Sequence, residues 1–265
     1  MNAEEPRLPS GEFVQSLARG LGVIRAFSDE RTMLTLADVA RIAGLSRASA
    51  RRSLLTLEAL GYVGMQQNRF YLRPRVLDLG YAFLSSSSSV DVTQDHLRKL
   101  SARLGESCSA CEYDDGDIVY VARAAAESVM PLRVSIGRRI PAFCTSTGRV
   151  LLSAMGPEEL DAFFRTYSRE KFTPQTVTDE QELRDRIAEV REQGWALNNQ
   201  ELDLGARSIA APVVDKRTGA YISAVNVTVS TSRVSVDELI ENCLPPLLEA
   251  TAQIGSDIAL MGSQR

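Results

Sequence analysis

Three arginines fall within six residues, Arg47, Arg51 and Arg52. The surrounding stretch, 46–60, has helical spacing, with Ala50, Leu54 and Leu57 on one face. At about 100° per residue the opposite face carries Ala48, Ser49 and Arg52, flanked by Arg47 and Arg51. Such a face suits the major groove of duplex DNA. A guanidinium grips guanine O6 and N7 or a phosphate, and a serine hydroxyl takes either kind of partner. Arg69, in the polar tip 66–69 between two short strand-like segments, would reach the DNA backbone or the minor groove as part of a wing. The alternative is a solvated, arginine-rich face on an ordinary helical hairpin.

A second constellation lies in Cys144-Thr145-Ser146-Thr147-Gly148, which opens a predicted helix. Hydroxyls and free N–H groups at a helix start suit a carboxylate, although plain capping needs the same residues. In the predicted strand 220–229, Val225, Val227 and Val229 share one face and Asn226 and Thr228 the other. The valine face should pack on helices. The Asn and Thr face is too polar for a dry core, so it meets either a polar ligand or solvent. Arg133, in a predicted strand at 131–136, is either a carboxylate partner or a surface residue.

Other chemistry is thinner. Cys108-x-x-Cys111 has no partner pair, so buried structural thiols compete with a metal site. If that segment is a strand, an offset of three puts the two thiols on opposite faces. His96 is the only histidine, which excludes a two-histidine metal site and leaves a Ser-His-Asp triad without a nucleophile motif. No G-x-S-x-G, Walker A or dinucleotide glycine motif is present, so no cofactor and no metal are expected. Asp114, Asp115 and Asp117 lack EF-hand spacing and read as a solvated turn. An enzyme is therefore not expected. A thiol-based enzyme or redox sensor using Cys108, Cys111 or Cys144 is the alternative. A small-molecule module whose helix pair serves only dimerisation is a third reading.

These residues need elements to hold them. Apolar spacing predicts a helix from Ser16, a second with Leu36, Val39, Ala40 and Ala43 on one face, and a third after the N-cap Ser46. Gly44 suits a tight turn between the last two, and small Ala40 suits a close crossing, which is the helix-turn-helix pattern. Strand-like segments 62–65 and 70–72 follow. A helical pattern over 76–84 runs into five serines, 85–89, read as a flexible linker or a frayed helix end. Beyond it come a helix 92–104 capped by Asp91, strands 107–113 and 118–124, helices near 148–155 and from Pro157, and a helix opened by a Thr178/Gln181 capping box. Strands 209–214 and 220–229 and a last helix after Ser235 complete it, with Pro245-Pro246 expected to interrupt that helix. The pattern predicts α+β architecture with an antiparallel sheet and helices on one side.

Charge follows this division. Residues 1–75 hold 11 Arg, no Lys and 7 acids, whereas the other 190 of the 265 residues carry a net −8. Only the front end is suited to a polyanion. Hydrophobic residues at 44% and charged residues at 24% are ordinary globular values. No run approaches the ~18 apolar residues of a membrane helix. The start, MNAEEPRLPSGE, is unlike a signal or transit peptide, so a cytoplasmic protein with free thiols is expected.

The run FVQSLARGLGVIRAFSD, with LTLADVARIAGLSRASARRSLLTLEALGYV after it, resembles the N-terminal domain of IclR-family transcriptional regulators. IPAFCTSTGRVLLSA and GWALNNQELDLGARSIAAPVVDKRTGAYISAVNV resemble that family's effector domain. SLARGLGVIRAF and ARRSLLTLEALGYV look closest to the branch controlling protocatechuate, 4-hydroxybenzoate and β-ketoadipate catabolism. The resemblance implies a winged helix-turn-helix at 13–74, a linker helix at 75–90 and a GAF-like effector domain at 91–262. It also implies dimers or tetramers on a palindromic double-stranded operator. It places the start of the 144–148 helix, with Thr145, Ser146 and Gly148, in an effector pocket, and matches Asn198, Ser208, Asn226 and Thr228 to ligand contacts. The family often has an acid where this chain has Asn198. A neutral amide removes a repulsion toward a small organic acid, in keeping with an aromatic or keto acid.

Overall fold

The computed structural model describes residues 12–86, 88–126 and 134–262. The chain divides into two units, Met1–Phe83 and Leu84–Arg265, nine residues beyond the expected end of the first domain.

The first unit is built on local signals. Helix α1 (Gln15–Arg25) packs with α2 (Leu36–Ile42) and α3 (Arg47–Ala59) around Val23, Val39, Ala50, Leu54 and Leu57. Thr35 and Asp38 form a reciprocal capping box at the start of α2: the Thr35 hydroxyl accepts from Asp38 N at 3.2 Å and the Asp38 carboxylate from Thr35 N at 3.1 Å. Gly44, at φ +64°, makes the turn into α3, and Ser46 caps α3 by accepting from Ser49 N at 3.2 Å. Strands β1 (Val63–Gln66) and β2 (Arg69–Leu72) form the wing. Gln67 and Asn68 both take positive φ, the backbone of a two-residue hairpin turn. Leu34 bridges to Phe70 and ties the wing to the helices. Helix α4 (Leu77–Ser86) carries the chain across the end of this unit and makes Ser85 and Ser86 of the serine run helix rather than linker.

The second unit is a six-stranded antiparallel sheet in the order β5-β4-β3-β8-β7-β6. Its strands are β3 (Ser107–Asp114), β4 (Asp117–Ala124), β5 (Arg139–Pro141), β6 (Ala196–Asn199), β7 (Ala206–Val214) and β8 (Tyr221–Ser230). One face, with Val225, Val227 and Val229, packs on α5 (Ser88–Leu104) and α9 (Val236–Gly262). The other face carries Cys111, Tyr120, Ala210 and Ala224 and packs on α6 (Ser146–Ser153), α7 (Pro157–Thr166) and α8 (Glu180–Gln193). Helices therefore cover both faces, not one. Both sheet faces are apolar enough to need a cover.

Other expectations are corrected. α5 begins at Ser88, so Asp91 lies in its first turn and is not its cap. The cap of α8 is Asp179, accepting from Glu182 N at 2.9 Å, in place of Thr178. Helix α9 runs through Pro245 and Pro246. Each proline removes one ladder bond, but Leu239, Cys243, Leu247, Ala250 and Ile254 form one buried stripe across the break, and burying that stripe holds the helix together. The Asp114–Asp117 turn is not simply solvated: Arg139 pairs with Asp114 and Asp117, and the Tyr167 hydroxyl donates to Asp115 at 2.6 Å. Of the expected strand 131–136, residues 134–136 are not strand and the rest, with Arg133, lies outside the described residues.

Candidate functional site

On α3, Arg47, Ala48, Arg51 and Arg52 are exposed, and Arg69 is exposed at the wing. Among the described residues none of these four arginines makes an ion pair or a side-chain hydrogen bond. The second unit differs. There Arg98, Arg103, Arg139, Arg149, Arg184 and Arg233 each hold a carboxylate. A cluster of unneutralised guanidiniums on one helix face is an electrostatic footprint for a polyanion. Ser49 is a correction: only 9% exposed, it lies at the buried edge of the arginine-bearing face, in the groove beside α1 that Arg52 also lines. Its neighbour Ala50 is fully buried, and the same helical turn carries both inward.

In the second unit Thr145, Ser146, Asn198, Ser208, Asn226 and Thr228 surround one cavity of about 40 Å³, together with Tyr120, Cys144, Leu202 and Asp203. The first six come from three strands, β6, β7 and β8, and the start of α6, brought together by register: Ser208 stands opposite Thr228 and Asn198 opposite Ser208. The Ser146 and Ser208 hydroxyls meet at 2.8 Å across the floor. Asn198 is a clip: its Nδ2 donates to the Cys144 carbonyl at 2.6 Å and its Oδ1 accepts from Glu201 N at 3.4 Å. Asn226, 5% exposed, donates from Nδ2 to the Thr228 hydroxyl at 3.2 Å, while its Oδ1 is buried without a partner. Asn226 and Thr228 therefore face the cavity and not solvent.

Gly148 is the second correction. It does not line the cavity. A Cβ there would lie 2.0 Å from the Ala142 carbonyl oxygen, so the position is a close backbone crossing between α6 and the turn before it. Thr145 caps α6 by accepting from Gly148 N at 3.0 Å. Arg207 belongs to the wall, but its guanidinium is committed: Nη1 donates to the Val234 carbonyl at 2.6 Å and Nε to Asn199 Oδ1 at 3.2 Å. The cavity's polar side is thus hydroxyls, amides, the first-turn N–H groups of α6 and the Asp203 carboxylate, whose Oδ1 accepts from Gly205 N at 2.7 Å. Tyr120 was not anticipated. The alternation of Ile118 and Tyr120 in β4, both on the inner face, is the signal that could have found it. Burial pushes its phenol up, so it stays neutral.

The thiols are all buried. Cys108 lies with the α5/α9 cluster and Cys111 with the α6–α8 cluster, on opposite faces as expected. Burial pushes Cys108 and Cys144 up to about 12 and Cys111 upward as well. The thiolate, the reactive form, is absent near neutral pH, and the thiol-enzyme reading has no support. No helix among the described residues is long and apolar enough to cross a membrane.

Comparison with known proteins agrees with this geometry. The IclR helix-turn-helix domain matches residues 16–66, and the C-terminal domain of the bacterial transcriptional regulator IclR matches 81–256. The Pca regulon regulatory protein of Pseudomonas putida is 38% identical over 244 residues, covering 92% of this chain and 84% of that protein. A candidate transcriptional regulator from Rhodococcus sp. RHA1 superposes with a TM-score of 0.83 at 44% identity, over 94% of this chain and all of that one. The inducer-binding domain of the transcription factor PobR from Acinetobacter, a double mutant in complex with 3-hydroxybenzoic acid, matches 62% of this chain and 96% of its own at 33% identity and a TM-score of 0.57. With family models over both units and such relatives along most of its length, the chain belongs to the IclR family of transcriptional regulators and is not an enzyme.

Proposed function

We propose that the exposed face of α3 enters the major groove of a palindromic operator, that Arg69 of the wing holds the DNA backbone, and that the cavity under α6 takes an aromatic hydroxy acid as effector. The genes controlled are those of aromatic-acid catabolism, in keeping with the similarity to the Pca regulon regulatory protein. The unpaired arginines support the DNA half. The observation that carries the effector half is the buried, unpartnered Asn226 Oδ1. An acceptor buried without a protein partner is a place for a ligand donor. An effector hydroxyl supplies that donor. Its carboxylate sits on the first-turn N–H groups of α6 and the Ser146 hydroxyl.

A cavity of about 40 Å³ is little more than one water's share of liquid. An aromatic acid enters only if the wall moves, and that movement is the differential binding through which an effector shifts a two-state equilibrium. The chain runs from this unit to the recognition helix through α5 and α4. Titration of the full chain with 3-hydroxybenzoate and with benzoate tests the reading. The wild type should prefer the hydroxy acid, and Asn226→Leu should weaken 3-hydroxybenzoate by about tenfold or more while leaving benzoate nearly unchanged. Equal effects on both acids would reject Asn226 as the hydroxyl's partner.

Two copies are needed to read a palindrome. The first unit offers a face for the second: Leu17 (62% exposed) and Leu21 on α1, with Leu60, Leu77 (73% exposed) and Leu79, beside a groove of about 620 Å³. An apolar face of this kind is covered in a working regulator. The double variant Leu17→Glu/Leu21→Glu should sediment as a smaller species than the wild type. Identical masses would place the pairing surface elsewhere.

A further inference from the structure

We infer that Arg149 and Glu201 are positioning residues of the effector cavity: their buried ion pair fixes the wall that carries Asn198, Leu202 and Asp203. The inference rests on reading that cavity as the effector site. Arg149 is 1% and Glu201 2% exposed. Two guanidinium nitrogens donate to the two carboxylate oxygens, at 2.7 and 2.5 Å. Arg149 lies one turn beyond Ser146 on α6, and Glu201 directly precedes Leu202 and Asp203. The pair thus joins the two walls of the cavity from behind.

The rest of Glu201 is held as tightly. Its carbonyl accepts from the Thr176 hydroxyl at 2.6 Å, its Oε2 from Val177 N at 3.3 Å, and its Oε1 also from Arg186 at 3.4 Å. Gln200 before it takes φ +66°, a strained backbone for a non-glycine residue, and its carbonyl accepts from Thr173 at 2.7 Å. Glu201 N reaches Asn198 Oδ1, and Asn198 in turn clips Cys144 beside Ser146. The geometry of the cavity is therefore set by where this one carboxylate sits.

Stability alone does not explain the pair. A buried ion pair is often no better than a well-packed apolar pair of the same volume, and Arg149 Nε is left buried without a partner. What the charges supply, and an apolar pair cannot, is direction. A two-pronged bond fixes both the distance and the rotation of the loop against α6.

This separates positioning from stability in one experiment. In the full chain, Arg149→Met/Glu201→Leu should melt within about 3 °C of the wild type. Its affinity for 3-hydroxybenzoate should fall by about tenfold or more, and amides of 198–205 in the unliganded protein should exchange about tenfold faster. Glu201→Gln keeps the shape but leaves the buried Arg149 without a counter-charge, so it should melt below both, and its exchange at 198–205 supplies the comparison if the double variant does not fold. Wild-type affinity and wild-type exchange in the double variant would overturn the inference. So would affinities that merely follow melting temperature across the series. A wild type that binds no 3-hydroxybenzoate would count against the effector reading alone; the exchange rates of the unliganded protein then decide the positioning role.

Discussion

Replacing Arg47, Arg51 and Arg52 together by alanine should lower the affinity for DNA by about a hundredfold or more, and the slope of log affinity against log salt should fall by about three for each copy on the operator, about five to six for two copies. The probe is a duplex selected by the wild-type protein from a random pool. Each guanidinium that neutralises a phosphate releases a counterion, so the slope counts contacts and not just energy. An arginine that grips guanine instead costs about 1–3 kcal/mol when lost and relaxes preference at that base. The fold should be unaffected, because all three side chains are exposed and unpaired. Arg98 and Arg103 are the control. They are also exposed, but each is bound to a carboxylate, Asp95 and Glu249, in the other unit. Alanine at both should leave the slope as it was. A triple variant with wild-type slope would mean that this face does not meet DNA.

Gly148→Ala should destabilise the second unit by about 3 kcal/mol or more, read as a fall in its melting temperature. The added methyl would stand 2.0 Å from the Ala142 oxygen and 2.5 Å from its carbonyl carbon. Those are backbone atoms of the turn that feeds α6, and no side chain can swing aside. Relief requires α6 to lift from that turn, which would also move Thr145, Ser146 and Cys144 at the cavity. Effector affinity should therefore fall with stability. The contrast is Gly22 in α1, where nothing lies within 4 Å of a built Cβ. Alanine there should stabilise the first unit by about 0.5–1 kcal/mol through helix propensity. A Gly148→Ala protein that melts like the wild type would mean that the crossing is looser than 2.0 Å implies.

Gly148 also illustrates how far the residues alone lead. Resemblance assigned it to the ligand, and its surroundings assign it to packing. Both readings ask for a small residue, so the type cannot separate them. Ser49 is similar. It sits between arginines in sequence, but it is buried at the edge of their face while they are exposed. Thr178 lost its capping role to the adjacent Asp179, a shift of one residue that two competent caps in a row leave open. Pro245 and Pro246 argue locally for a break. The buried stripe from Leu239 to Ile254 outweighs them, because the sheet and α5 that cover that stripe are distant in sequence.

The helix-turn-helix was legible because its causes are local. Gly44, Ser46 and the polar wing tip 66–69 each act within a few positions, and the excess of arginine over acid in residues 1–75 needs only counting. The alternation of β8 likewise put Asn226 and Thr228 on one face before any fold was known. The cavity was not legible in this way. Arg149 and Glu201 stand 52 residues apart, and Ser146 and Ser208 stand 62 apart. Which hydroxyl is already satisfied, which amide is a clip and which acceptor is left bare depend on strand register and on helices closing over the sheet. Periodicity carries which face a residue takes, whereas the partner it finds there is set by distance in space.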